Sequence, residues 1–201
     1  MKISQYVRIH PEQILLNGHI ITTESTGAEM LVEVYRKKIN DYPKFFKMDD
    51  LSRLGFIASE LLLQNEKDRL HDSEHRAIML FNSSSSIDND RRYQKTIDSL
   101  DNYYPSPSLF VYTLPNIVAG EIAIRNKYYG ETSFYVLDKF DARIIWQTVD
   151  TAFCDADTTS VMCGWLECDE KDTFDVCMFI VGEDGNSEFN IENINKQYNN
   201  I

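Results

Sequence analysis

Apolar residues in this chain fall into short runs and stripes whose spacing changes along its length. Residues 2–9 alternate in part, through Ile3, Val7 and Ile9, and predict a first strand. His19–Thr23 follows the turn dipeptide Asn17-Gly18, so it continues that strand or pairs with it. Residues 24–47 show no clear period; they hold Leu31-Val32 and the run Tyr42-Pro-Lys-Phe-Phe46. Over 50–65 the pattern turns helical. Leu51, Leu54, Ala58, Leu61 and Leu62 recur on one face, and Asp49 or Asp50 caps the start. Arg76–Phe81 is a continuous apolar run between polar stretches, as a strand buried on both faces requires. Ser83–Ser86 turns the chain, and 88–100 predicts a helix.

Residues 107–128 read as mostly helical, with Pro115 interrupting or starting a helix. Ser133–Leu137 predicts a strand. Asp141–Phe153 predicts a helix whose Ala142, Ile145, Trp146, Val149, Ala152 and Phe153 lie within about 120° of the wheel. Asp141, Arg143, Gln147, Asp150 and Thr151 form the opposite, polar side. Thr159–Glu167 and Phe174–Val181 predict strands joined by an acidic loop at 169–172. Such alternation of strands and helices predicts an α/β fold, a mixed, mostly parallel five-stranded sheet with covering helices. This domain covers residues 1–182; residues 183–201, rich in Asn, predict a polar, flexible tail.

Composition narrows the functions. The chain has 201 residues, 43% of them hydrophobic, enough for one packed core. A net charge of −12 argues against a nucleic-acid or anionic-membrane partner, both of which demand a basic face. The sequence has no uncharged apolar window of membrane-spanning length, and its start lacks an apolar signal core. Cys154, Cys163, Cys168 and Cys177 lack paired C-x-x-C spacing and read as reduced, partly buried thiols of a cytoplasmic protein. No cofactor or metal is implied.

The segment Pro105–Gly130 carries Pro115-Asn116, Ala119-Gly120, Ala123-Ile124 and Gly130, followed by the strand at 133–137. It resembles the approach to the active-site cysteine of β-ketoacyl synthases. The phrase Lys47-Met-Asp-Asp-Leu-Ser-Arg-Leu54 resembles the opening of an early helix in the same family. The resemblance spans roughly 45–182 and implies half of a thiolase-like fold. The family spacing, nine residues past Gly130, reaches Lys139 where the nucleophilic cysteine should stand. The family's two catalytic histidines come from a second half that this sequence does not contain. His10, His19, His71 and His75 match no such motif. The resemblance therefore implies no catalytic residue, and a ketosynthase-like subunit without its thiolate. It also implies a dimer seam at Ser133, Phe134, Tyr135, Val136 and Leu137, a strand of high β-propensity and a poor free edge. Pro105, Ser108, Leu109, Phe110, Pro115, Asn116 and Gly120 would flank that interface and its pocket.

Other constellations carry less. Lys139 reads as a Schiff-base amine, a plug for the vacated site or, more simply, a solvent-facing lysine at a turn. His71-x-x-x-His75 lacks the glutamate of a zinc-protease helix, since Asp72 follows the first histidine, and reads as a charged surface loop. Ser83–Ser86 has no Gly-x-Ser-x-Gly surroundings and reads as a turn. Gly182, Asp184 and Gly185 also form a turn.

The leading expectation is a non-catalytic partner subunit of the chain-length-factor type. It pairs with a full ketosynthase in fatty acid or aryl polyene/flexirubin-type polyketide biosynthesis. Such systems use acidic acyl carrier proteins, for which this chain offers only local basic spots, Arg36, Lys37 and Lys38 or Arg91 and Arg92. The alternatives are a homodimer that binds an acyl group or its carrier without chemistry, and an enzyme that uses Lys139 or Cys154.

Overall fold

The computed structural model describes residues 1–69, 73–101, 103–170 and 172–200. Among the described residues eight strands form one sheet: β1 (Lys2–His10), β2 (Gln13–Leu16), β3 (His19–Ile21), β4 (Arg76–Asn82), β5 (Thr132–Val136), β6 (Ser160–Glu170), β7 (Thr173–Gly182) and β8 (Ser187–Glu188). Their order is β3-β2-β1-β7-β6-β4-β5, and β8 pairs with β1. The five strands expected from the sequence are β1, β4, β5, β6 and β7; the hairpin β2–β3 and β8 extend them to eight. β4 is parallel to β5 and β6, and the other five pairings are antiparallel. The directions still agree with the α/β reading, because β1, β3, β4, β5 and β6 all point the same way.

Asn17 and Gly18, both at positive φ, make the two-residue hairpin turn between β2 and β3. Alternate residues of β4, β6 and β7 enter two separate cores. On one face Ile78, Leu80, Met162, Leu166 and Met178 pack under α1 (Gly27–Val34), α2 (Asp50–Leu63) and a later helix, α5 (Ile117–Asn126). α2 is buried on nearly every side, and its Asp49 cap accepts from Ser52 N. A Cβ on Gly55 would collide with Val118, so glycine sets the close approach of α2 and α5. On the other face Met79, Phe81, Cys163, Trp165 and Phe179 pack under α6 (Ala142–Ala152) and α7 (Ile191–Tyr198). The α6 stripe lies as its spacing predicts: Ala142, Ile145, Val149 and Ala152 are buried, and Arg143, Gln147, Asp150 and Thr151 are exposed.

Two expectations need correcting, and two stretches gain detail. The stretch beyond Glu183 is not a flexible tail: Phe189 and Ile194 are buried in the second core. Asn190 caps α7 by accepting from Asn193 N at 2.8 Å. Arg8 Nε donates to Tyr198 O at 2.8 Å, and Arg8 also pairs with Asp175, which accepts from Tyr198 OH. The helix expected over 88–100 ends early, as α3 (Ile87–Gln94), because it buries only Asn89 and so has no apolar face to hold a longer run. The unread stretch 24–47 contains α1, its continuation as a π-turn at Tyr35–Ile39, and a 3₁₀ turn at Pro43–Lys47. The segment 107–128 splits at Pro115 into α4 (Pro107–Val111) and α5.

Candidate functional site: a free sheet edge and the mouth of a helix

β5 pairs with β4 through Ile78↔Thr132 to Asn82↔Val136, and Leu137 N extends the ladder by donating to Asn82 O at 2.8 Å. No described residue pairs with its other edge. Phe134 packs toward the first core; Tyr135 and Leu137 pack toward the second, with the Tyr135 ring stacked 5.0 Å from Phe81. Val136 remains 52% exposed.

The residues that precede β5 are unusually bare. Among the described residues thirteen large hydrophobic side chains are exposed, and nine of them fall between 100 and 136: Leu100, Tyr103, Tyr104, Phe110, Val111, Leu114, Ile124, Tyr129 and Val136. Tyr129 is 75% exposed. Isolated exposed apolar groups are ordinary; a concentration of them beside an unpaired strand is not. Of the residues named from the sequence, Pro105, Ser108, Phe110 and Asn116 are exposed, and Leu109, Pro115 and Gly120 are half-buried. α4 buries no side chain of its own and is held by polar links. Asn89 Nδ2 donates to Leu109 O, and Ser86 Oγ donates to Thr113 O, both at 2.6 Å.

Beneath this segment lies a polar network the sequence did not reveal. Glu121, almost fully buried on α5, is 2.7 Å from Lys44 Nζ and accepts from Tyr112 OH. Burial, then the Glu121 charge, push the Tyr112 hydroxyl up to about 12. Burial raises the Asp49 carboxyl to about 6. Only the alternation of Tyr112 and Glu121 with apolar neighbours hinted at buried polar groups here.

The mouth of α6 is closed by its own residues. Lys139 and Asp138 are exposed in the turn after β5. Asp141 caps the helix, its Oδ1 accepting from Arg143 N at 2.8 Å and from Ile144 N at 3.2 Å. Phe140 stacks on Tyr198 with centroids 3.6 Å apart and meets Trp165 edge-on at 5.8 Å. The amides that would stabilise a thiolate or an oxyanion there are thus engaged by a carboxylate already in place.

The cysteines lie elsewhere. Cys163, Cys168 and Cys177 are buried in β6 and β7, and burial pushes all three thiols up, Cys177 to about 12. Cys154 is exposed beyond the C-terminal end of α6, where the helix dipole opposes a thiolate. Ser83 and Ser84 donate through backbone and hydroxyl to Glu167, which makes the serine loop a strap across two strands. Gly182, Asp184 and Gly185 lead from β7 into β8, with Asn186 N donating to Ile3 O at 2.8 Å. His71 and Asp72 lie outside the described residues; His75 is exposed, its Nδ1 2.8 Å from Asp157 O. Among the described residues no three His, Cys, Asp or Glu side chains gather as metal ligands, and no helix is long and apolar enough to cross a membrane. Of the basic spots, Arg91 faces Asp169 and Glu170, and Arg92 faces Asp50 and Asp88. Arg36, Lys37 and Lys38 are exposed.

No family model and no curated protein matches the chain. Solved structures do. The ishigamide ketosynthase/chain length factor shares 14% identity over 90% of this chain and 62% of that one, with a TM-score of 0.60. A chain of the ketosynthase (ApeO) in complex with its chain length factor (ApeC) from Xenorhabdus doucetiae shares 11% over 98% of this chain and 90% of that one, at 0.58. A chain of AntDE:AntF, a type II PKS acyl-carrier protein in complex with its ketosynthase bound to the hexaketide, shares 12% over 90% and 62%, also at 0.58. This chain thus spans about three-fifths of the first and third matched chains and nine-tenths of the second. At these identities the likeness is one of fold, shared with chains of ketosynthase and chain length factor structures.

Proposed function

We propose that this protein is a non-catalytic, ketosynthase-like partner subunit of the chain-length-factor type. It pairs with a full ketosynthase through the free edge of β5, namely Ser133, Phe134, Tyr135, Val136 and Leu137. Residues 105–120 flank the seam. The observation that carries the reading is the contrast at α6. Where a ketosynthase places a thiolate, this chain places Lys139 in solvent and lets Asp141 take the first amides of the helix. A carboxylate there repels the charge that acyl transfer would develop. The fold shared with chains from ketosynthase complexes supports the same reading, as does the bare apolar segment leading into β5.

An acyl carrier protein would meet the paired assembly rather than this chain alone, since the net charge here is −12. The setting is cytoplasmic, and the product an aryl polyene, a flexirubin-type pigment or another acyl chain.

Co-expression with a full-length ketosynthase tests the reading. A stable one-to-one complex, with no acyl group trapped on this chain by mass spectrometry, is the expected result. A homodimer indifferent to ketosynthases would favour the acyl- or carrier-binding alternative. Condensation of malonyl and acyl thioesters by this chain alone would end the proposal.

A further inference from the structure

One stretch of the chain is held down almost without burial. Among the described residues from 101 to 117 only Tyr112 is buried. The five-residue helix α4 lies within it and buries none of its side chains. A helix so short does not persist on its own hydrogen bonds. Three polar links tie it to the body. Ser86 Oγ donates to Thr113 O and Asn89 Nδ2 to Leu109 O, both at 2.6 Å, and Tyr112 OH donates to Glu121 at 3.5 Å. A ring contact joins them, Phe110 tilted against Tyr93 at 5.4 Å. Pro105 and Pro107 fix the backbone at one end and Pro115 at the other. Between them Phe110 N donates to Ser106 O at 2.9 Å and Thr113 N to Phe110 O at 3.0 Å, so the piece keeps its own shape.

The seat beneath is not fully satisfied while the piece is down. Among the described residues three buried side-chain polar atoms lack a hydrogen-bond partner. Two of them, Asn89 Oδ1 and Glu121 Oε2, belong to residues that hold this piece. A buried acceptor without a donor destabilises the closed arrangement, and water relieves it once the site opens. The links are also joined to β5. Leu137 N donates to Asn82 O at 2.8 Å, Asn82 Nδ2 donates to Ser85 O at 2.8 Å, and Ser85 N donates back to Asn82 Oδ1 at 3.0 Å. Ser86, next in the chain, carries the bond to Thr113. One corner, residues 82–86, therefore serves both the last rung of β5 and the tether of α4.

We infer that residues 105–114 form a flap that unlatches as one piece in the free chain and is locked down when a ketosynthase covers β5. The locking rests on the pairing proposed above; the flap itself does not. Opening breaks the three polar links, each worth about fivefold in an equilibrium, and bares one buried side chain, Tyr112. Phe110, Val111 and Leu114 already face water, so they do not oppose it. Elements with so few buried apolar contacts open locally, well below the free energy of global unfolding. Covering β5 fixes the 82–86 corner and with it the Ser86 tether, and contact with the partner takes the three exposed side chains out of water. Pairing and closure then favour each other, as linkage requires.

Amide hydrogen exchange of the full chain, read by NMR, measures the flap directly. The amides of Phe110, Tyr112 and Thr113 should share one opening equilibrium and exchange about a hundredfold faster than those of β4 and β6. Ser86→Ala removes one link from outside the flap and should speed its exchange about fivefold. Adding Tyr112→Phe, which keeps the ring and removes the hydroxyl, should raise this to about tenfold. Exchange in β4 and β6 should stay as in the parent. A full-length ketosynthase should slow the three flap amides about tenfold. Flap amides as protected as β4, or variants that speed flap and sheet alike, would overturn the inference. So would a stable complex in which the three amides exchange as in the free chain. A chain that binds no ketosynthase yet shows the free opening ends the pairing reading and the locking with it, while the flap stands.

Discussion

β5 and the mouth of α6, separated by the five residues 137–141, differ in how far the chain satisfies itself. At the mouth of α6 the first amides bond to Asp141, Phe140 is clamped between Tyr198 and Trp165, and Lys139 faces solvent. Along β5 one whole row of backbone groups has no described partner, and the flanking helices leave Phe110, Leu114 and Ile124 bare. Chemistry needs unsatisfied, preorganised groups at a pocket. Association needs them at an edge. In this molecule the unmet backbone groups lie at the edge, and those at the mouth of α6 are met.

The largest effect expected from breaking the contrast is at the edge. Val136→Asp places a charge in the exposed row and should weaken pairing with a ketosynthase at least a hundredfold, about 3 kcal/mol. Because Val136 is exposed, the isolated chain should stay within about 0.5 kcal/mol of the parent in urea melts. At the sealed end, Tyr198→Ala removes the ring on Phe140 and the hydroxyl bond to Asp175. It should cost about 2–3 kcal/mol of stability while leaving association intact.

A third change addresses the polar layer beneath the edge segment. Burial raises the Asp49 carboxyl from about 4 to about 6, so the folded state holds this proton more tightly than the unfolded one. Its contribution is complete below about pH 4 and is lost as pH rises through about 6. Asp49→Asn keeps the acceptor for Ser52 N and should remove that slope, gaining about 2.7 kcal/mol at pH 7 in unfolding free energies measured from pH 4 to 7. The smallest effect belongs to Asp141→Ala, about 1 kcal/mol from the lost cap. Lys139→Cys in that background tests the closed mouth directly. Trapping by iodoacetamide should be faster than in Lys139→Cys alone, because the freed amides favour the thiolate.

The parts of the fold that one period governs were readable. The α2 and α6 stripes, the apolar run of β4 and the Asn17-Gly18 turn each state their structure locally. The strand β5 was readable for a different reason, since it combines high strand propensity with a family-like approach. What escaped depends on distant partners. α7 is polar in composition, and only Ile191, Ile194 and Tyr198 at helical spacing betray it; its stability comes from Phe140, Arg8 and Asp175 far away in sequence. α1 and its π-turn lack a clean period because their residues pack against both the sheet and the Phe45 ring. The Tyr112–Glu121–Lys44 network was equally hidden: two of its members look like surface residues, and only packing buries the carboxylate.

The position of β1 has a consequence for how the molecule comes into being. Residues 2–10 lie against residues 173–182, with the last helix latched over them through Arg8. On the ribosome β1 therefore waits, paired only with its own hairpin, until β7 has been translated through Gly182. Closing so long a loop is entropically costly and slow, and in the interval the nascent product exposes a second raw flank for strangers to adhere to.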